Sequence, residues 1–225
     1  ELSFASEMAG RWRIDLLGTD GAISGGTGTL TLAVYEPVFY GSLLFVESIQ
    51  DNADGNDGLA EVRSVAVVGD FLYTAGYGED KIGIYSIDSG SGKLAFLDDV
   101  VSADLGDPAL LDGVSDLSSH PGTNRLAAVS SRSGALLLLD PDASTGALSL
   151  VDSAQPVAAD FPSQPAGIDP AVNALNGATA LSFGSAGTVL YAVSSSSSLI
   201  SSFSISSGSL VPSDLLGPPS LIGTA

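Results

Sequence analysis

The sequence contains no cysteine and a single histidine, and both scarcities exclude classes of site. Without cysteine there is no disulfide bond and no thiolate ligand for a metal. With His120 alone, a two-histidine metal centre is excluded and no Ser-His-Asp arrangement can be argued. His120 stands in the segment HPGTN, which predicts a solvent-exposed turn residue. The GxSxG, HExxH and P-loop motifs are missing as well, so no catalytic and no cofactor-binding residue is predicted.

Basic residues are also scarce. Seven lysine and arginine residues stand against 26 aspartate and glutamate residues, which gives a formal net charge of −19. Nucleic acid is excluded as a partner, because phosphate binding needs clustered lysine and arginine. The same charge argues against anionic membrane surfaces. It predicts a well-solvated acidic surface, and leaves a protein or a surface glycan open as the kind of partner.

Long hydrophobic runs are absent, although hydrophobic residues make up 44% of the chain. A membrane-spanning helix needs about 18 continuous apolar residues, so we expect a soluble chain with a sizeable core and no membrane insertion. The chain starts with Glu1 rather than methionine, which favours removal of an upstream segment such as a signal peptide. Together with the acidity and the missing cysteine, this predicts an extracellular or cell-surface bacterial protein.

What the chain does have is a repeat. An apolar strand, a turn and a second apolar strand recur four times, at residues 31–50, 81–100, 135–153 and 198–216. Equivalent positions in the four copies carry an aromatic residue or leucine: Tyr35, Tyr85, Leu139 and Phe203. The copies are therefore offset by 50, 54 and 64 residues. A repeat of this length built from short strands is typical of propeller blades.

The best-defined copy, residues 63–100, predicts one complete blade. Its four apolar runs are separated by turns rich in glycine and aspartate: 63–68, 71–77, 82–87 and 94–100. Four consecutive antiparallel strands joined by tight turns form one blade. We therefore predict an all-β fold, a single β-propeller region of four-stranded antiparallel blades. About four blades are expected, at residues 11–50, 63–100, 114–153 and 177–216.

Four segments of that copy carry a resemblance to a known family: SVAV (64–67), FLYTAGYGED (71–80), IGIYSID (82–88) and SGKLAFLD (91–98). They resemble the bacterial lactonase-type β-propeller repeats, which are also described with the YVTN and 6-phosphogluconolactonase-like families. The resemblance covers roughly residues 31–216. It implies the fold far more than an activity, because the family name covers many non-catalytic repeats.

The number of blades departs from that family, whose propellers usually have about seven. Three arrangements follow from a count of about four. The chain is part of a longer one, or its repeats close into a small ring, or two chains complete one another. The third arrangement makes self-association or a role as a structural subunit of a larger assembly an open alternative.

The acidic loop at residues 51–58, DNADGNDG, is the best candidate for a functional site. Asp51, Asp54, Asn56 and Asp57 offer hard oxygen ligands, and the two glycines allow tight wrapping, which suits Ca²⁺. The spacing does not match the EF-hand loop, since no glycine and no closing glutamate stand in the required register. We predict these four residues as metal ligands, with a simple hydrated loop as the alternative.

A second acidic loop, residues 98–116, contains Asp104 and Asp107 among six aspartates. Propeller loops at one face converge on the central channel, so carboxylates of this loop are candidates for acid–base hydrolysis. The alternative is again a solvated loop. With no catalytic signature, we predict a non-enzymatic scaffold, adhesion or binding module of an exported protein. The alternative function is a lactonase-like hydrolase that uses loop carboxylates and a divalent metal.

Overall fold

The computed structural model describes residues 45–53 and 55–217, and this part of the chain is all-β. Twelve strands form three four-stranded antiparallel sheets here. Blade 1 consists of β1 (Val62–Val68), β2 (Phe71–Gly76), β3 (Lys81–Ile87) and β4 (Leu94–Val101). Blade 2 consists of β5 (Val114–Ser119), β6 (Leu126–Ser130), β7 (Ala135–Pro141) and β8 (Leu148–Ala154). Blade 3 consists of β9 (Ala178–Phe183), β10 (Val189–Ser194), β11 (Leu199–Ser206) and β12 (Ser209–Leu216).

In each sheet the strands follow one another in chain order, so every neighbour pair is a hairpin. The predicted fold class, an all-β propeller of four-stranded antiparallel blades, is confirmed. The repeat predicted at 11–50 lies outside the described residues, except for its end. Two 3₁₀ helices, Ser102–Leu105 and Ala158–Asp160, lie in the connections between blades. No helix among the described residues is long and apolar enough to cross a membrane.

Aspartate and glycine close the hairpins between the third and fourth strands. Asp88 accepts hydrogen bonds from the backbone N–H and the hydroxyl of Ser91, at 2.7 and 2.6 Å. Asp142, 54 residues later, accepts four such bonds from Ser144 and Thr145. In this turn Gly146 has a φ of 75°, a conformation in which a side chain is strained. The repeated turn sequence thus specifies the hairpin locally.

The first strands of the three blades, β1, β5 and β9, lie next to one another and are the inner strands of the propeller. Side chains on one inner strand accept hydrogen bonds from the backbone of the next. Leu117 N–H donates to the Ser64 hydroxyl at 3.2 Å, and Leu181 N–H donates to the Asp116 carboxylate at 2.6 Å. Asp116, predicted in an acidic loop, therefore lies on β5 and links two blades.

The core lies between the blades, and β7 of blade 2 contributes to both of its halves. Successive side chains of a strand point to opposite faces of the sheet. Leu137 and Leu139 accordingly belong to the apolar cluster shared with blade 1, and Leu136 and Leu138 to the cluster shared with blade 3. All four are completely buried. Blade 2 thus buries both faces, which explains a run of apolar residues without polar alternation.

We predict that Leu137→Ala lowers the free energy of unfolding by about 2–5 kcal/mol, the range for removing a buried leucine side chain from a packed core. Leu97→Ala is the matched control, because Leu97 is 46% exposed on β4 and is expected to change stability by about 0.5 kcal/mol or less. Urea unfolding followed by circular dichroism measures both. Equal losses for the two variants would contradict burial between the blades.

Candidate functional site

The connection into a blade and the turn between its second and third strands lie at the same end of that blade. In blade 1, Val62 at the start of β1 pairs with Gly76 at the end of β2, and Lys81 at the start of β3 pairs with Val101 at the end of β4. We call this end, in all three blades, the loop end. It brings the first predicted acidic loop next to the turn at residues 77–80.

Three acidic residues meet at the loop end of blade 1. Asp51, Asp57 and Glu79 each have a carboxylate oxygen within 4.8 Å of the others, and we call them the carboxylate cluster. Among the described residues it is the one group of three or more potential metal ligands. Two of the four predicted metal ligands therefore belong to it. The amide of Asn56 donates to the Ala53 carbonyl oxygen at 2.7 Å instead, and Asp54 lies outside the described residues.

Backbone N–H groups hold two members of the carboxylate cluster in place. Asp51 accepts a hydrogen bond from Leu59 N–H at 3.0 Å, and Asp57 accepts one from Gly58 N–H at 2.7 Å. The segment is fastened to blade 1 as well. The Tyr85 hydroxyl donates to the Asp57 carbonyl oxygen at 2.7 Å, and the Thr74 hydroxyl donates to the Gly58 carbonyl oxygen at 2.9 Å. The loop is therefore anchored to the sheet.

Gly58 is required by the close approach of this segment to β3. Its φ is 74°, and a Cβ atom there would lie 2.9 Å from the Cα atom of Gly83. A side chain at this position would be strained and would collide with backbone. Gly58 and Gly83 together allow the acidic segment to lie directly against the sheet. This places Asp57 beside the turn that carries Glu79.

Lys81 supplies a positive charge next to the carboxylate cluster. Its Nζ atom lies 2.8 Å from Asp57 Oδ2 and 2.9 Å from Asp99 Oδ2. The hydrogen bonds to Asp57 and Asp99 raise the pKa of Lys81 above its ordinary value. The Lys81 hydrogen bond, with that from Gly58 N–H, lowers the pKa of Asp57 below its ordinary value. Lys81 is therefore the cation that already occupies one side of Asp57, at the Oδ2 atom.

Glu79 has the opposite electrostatic environment. Its Oε2 atom is buried and has no hydrogen-bond partner among the described residues. Burial, followed by the negative charges of Asp51 and Asp57, raises its pKa above the ordinary value. Two neighbouring carboxyl groups whose pKa values shift apart are typical of acid–base pairs, and structural ion-pair networks produce the same pattern. Glu79 was not predicted from the sequence, since it follows Asp57 only after a complete β-hairpin.

A second group of side chains at the loop end joins blade 1 to blade 2. Two guanidinium groups contact the Tyr77 ring, with the Cζ atom of Arg63 3.1 Å and that of Arg132 4.2 Å from its centroid. Arg132 also pairs with Asp80 at 2.7 Å and with Asp112 at 3.1 Å. A hydrogen bond with Arg132 lowers the pKa of Tyr77. This group connects the turn of blade 1 to the loops of blade 2, and no local sequence pattern predicts it.

Of the two interpretations of residues 98–116, the described structure agrees with the solvated loop and does not bring Asp104 and Asp107 together with other carboxylates in a metal-ligand cluster. Asp104 accepts a hydrogen bond from Val101 N–H at 3.0 Å, and Asp107 accepts one from Ala109 N–H at 3.0 Å. Both are exposed, and neither belongs to a group of three potential metal ligands. The physical reason is local, because a short aspartate side chain bonds to the nearest free N–H groups of its own loop.

The prediction of a solvent-exposed His120 is wrong in part. The residue lies in the turn between β5 and β6, as predicted, but it is half-buried. Its ring packs edge-on against Phe183 of blade 3, with centroids 5.0 Å apart. Its Nδ1 atom accepts hydrogen bonds from the N–H groups of Gly122 and Thr123, both at 3.0 Å. His120 therefore stabilises its turn and the contact between two blades.

Comparison with known proteins supports the fold. No family model and no curated protein matches the sequence. A protein of Lactobacillus plantarum has a similar solved structure, with a TM-score of 0.55 and 19% identity, over 69% of this chain and 41% of that one. A proposed 6-phosphogluconolactonase of Bacteroides uniformis is similar with a TM-score of 0.54 and 14% identity, over 70% and 41%. The predicted resemblance to lactonase-type propellers is confirmed for the fold, and the chain spans about two fifths of each of these structures.

We predict that Glu79→Gln becomes more stable relative to the natural chain as the pH rises from about 4 to 7. A carboxyl group whose pKa is raised by folding contributes stability below its ordinary pKa, and this contribution is lost as the pH rises through the raised value. Glutamine does not titrate, so the Glu79→Gln variant has no such contribution to lose as the pH rises. Urea unfolding at a series of pH values measures the difference. Glu61→Gln, at an exposed position, is the control, and a parallel profile for both variants would contradict the prediction.

Proposed function

We propose that this chain is a β-propeller segment that acts as a non-enzymatic scaffold or binding module of an exported or cell-surface bacterial protein. One observation carries the proposal: several acidic groups at or near the loop end are engaged in ion pairs and backbone hydrogen bonds within and between the blades. Asp80 and Asp112 pair with Arg132, and Asp57 and Asp99 pair with Lys81. Asp116 and Asp152 accept backbone N–H bonds from blade 3. The net charge of −19 favours a protein or glycan partner that is not itself strongly anionic.

A second candidate function is lactone hydrolysis at the carboxylate cluster. The name of the Bacteroides uniformis protein favours it over a scaffold, at the level of fold. Water would attack the lactone carbonyl and lose its proton to Asp57, which stays ionised beside Lys81, and Glu79, with its raised pKa, would give its proton to the leaving alkoxide. Asp104 and Asp107, the earlier candidates, have no place in this proposal because they lie outside the cluster.

A screen of sugar lactones, with and without added divalent metal ions, separates the two functions. We expect no turnover above the buffer rate, as befits a scaffold. Glu79→Gln and the matched control Asp107→Asn are assayed beside the natural chain. Turnover that falls about 10²-fold or more in Glu79→Gln, and is unchanged in Asp107→Asn, would overturn the scaffold function and establish the hydrolase.

Calcium binding at the carboxylate cluster is part of the proposal, as a structural ion of the loop. The cluster supplies the carboxylate oxygens that Ca²⁺ prefers, and the unpartnered Oε2 atom of Glu79 is the ligand that an ion would satisfy. Lys81 competes for Asp57, since its ammonium group already lies 2.8 Å from that carboxylate. The proposed ligands are therefore Asp51, Asp57 and Glu79.

We expect millimolar Ca²⁺ to raise the melting temperature over that in EDTA by a few degrees, about 1 kcal/mol of stabilisation in a domain of this size. Glu79→Gln removes a ligand and is expected to abolish the shift. Lys81→Gln removes the competing cation and is expected to enlarge it. Differential scanning calorimetry measures all three, with Asp107→Asn as the control that keeps the shift. The same melting temperature in Ca²⁺ and EDTA for every variant would rule out the site.

A further inference from the structure

The blades pack on one another through equivalent positions of their second and third strands. In blade 1 these positions are Tyr73, Ala75, Ile82 and Ile84, which are at most 2% exposed and lie in the apolar cluster shared with blade 2. The equivalent residues of blade 2, 54 positions later, are Ala127, Val129, Leu136 and Leu138. They are completely buried in the cluster shared with blade 3. We call these four positions the leading face of a blade.

The leading face of blade 3 is open. Its residues, 64 positions after those of blade 2, are Tyr191, Val193, Ile200 and Ser202. The three large side chains are 47%, 42% and 44% exposed. Val193 pairs with Ile200 across β10 and β11, and Ile200 pairs with Leu216 on β12, which is 57% exposed. The result is a continuous apolar patch where the two preceding blades have a packed interface.

The opposite face of blade 3 packs on blade 2, as the corresponding face of blade 2 packs on blade 1. Leu190, Ala192, Leu199 and Phe203 are at most 1% exposed and pack in the cluster shared with blade 2. We call this the trailing face. Blade 2 thus buries both faces, whereas blade 3 buries the trailing face alone. Within residues 45–53 and 55–217, this four-stranded sheet, with exposed valine, isoleucine and tyrosine at its interface positions, has no partner on its leading face.

We infer that the leading face of blade 3 is the docking surface for a further four-stranded blade of the same propeller, which belongs to the same polypeptide. Two established interfaces of the same geometry precede it along the chain, and the third set of interface residues is in place. The chain lengths support the inference, because this chain covers only 41% of each of the two similar solved structures. The further blade would pack through its trailing face, which we expect to be rich in leucine and alanine like that of blade 2.

A second copy of this chain is the less suitable occupant, because its trailing face at blade 1 is not free. Thr74 and Tyr85 of that face are 2% and 1% exposed. Their hydroxyl groups already donate to Gly58 and Asp57 in the segment that precedes β1. Docking of a second copy would have to displace this segment and leave both hydroxyl groups without partners.

The absence of cysteine makes a single-thiol test possible. Val193→Cys and Ile200→Cys each introduce the only thiol of the 225-residue chain, and in the polypeptide as the cell makes it peptide mapping assigns the label to the introduced cysteine. We expect rapid maleimide labelling in the 225-residue chain and labelling at least roughly tenfold slower in the natural polypeptide, where the thiol reacts only after local opening. Leu97→Cys is the exposed control, reactive in both, and Val129→Cys is the buried control, protected in both.

Equal labelling of the two chains at positions 193 and 200 would overturn the inference, as would a natural polypeptide no longer than these 225 residues. Protection that grows with the concentration of the 225-residue chain would assign the face to a second copy, and would overturn it too. Val193→Thr and Ile200→Thr add a readout that needs no thiol. They are expected to leave the melting temperature of the 225-residue chain unchanged and to lower that of the natural polypeptide.

Discussion

The packing of one four-stranded sheet on the next is the interaction on which the rest of the structure depends. A single small sheet cannot bury its apolar residues alone, and stacking equivalent sheets buries a continuous core. Blade 2 shows this most clearly, since β7 contributes Leu136 and Leu138 to one interface and Leu137 and Leu139 to the other. The stability of each blade is therefore tied to the presence of its neighbours.

The charged groups follow from the same stacking. Neighbouring sheets bring their connecting loops together at one end, where an acidic chain must limit repulsion between carboxylates. Two cations are shared among pairs of them: Lys81 between Asp57 and Asp99, and Arg132 between Asp80 and Asp112. Backbone N–H groups hold other aspartates across the blade interfaces. The Oε2 atom of Glu79 is left buried without a hydrogen-bond partner among the described residues, which makes Glu79 the residue of most functional interest.

Part of the candidate site was predictable from the sequence. A dense run of oxygen ligands with two glycines singled out Asp51, Asp54, Asn56 and Asp57. The structure brings Asp51 and Asp57 together. Glu79 was not predictable in this way, because it joins them only when a hairpin folds back beside the loop. Asp104 and Asp107, the candidates for the alternative hydrolase, do not join the cluster, since each side chain is within reach of a free N–H group in its own loop. The number of potential ligands in a loop depends on its local sequence alone. It does not show which loops lie together in the folded chain.

The amino-acid sequence by itself determined the strands, the turns and the repeating blade. These depend on local rules, namely the alternation of side chains along a strand and the turn preferences of aspartate and glycine. The tertiary structure alone decided which carboxylates lie together, which cation neutralises them, and which apolar faces are covered. Tyr191, Val193 and Ile200 show the difference, because they stand at the same repeat positions as buried residues of blade 2 and yet are exposed. Burial depends on a neighbouring sheet, and the strand's own sequence cannot supply one.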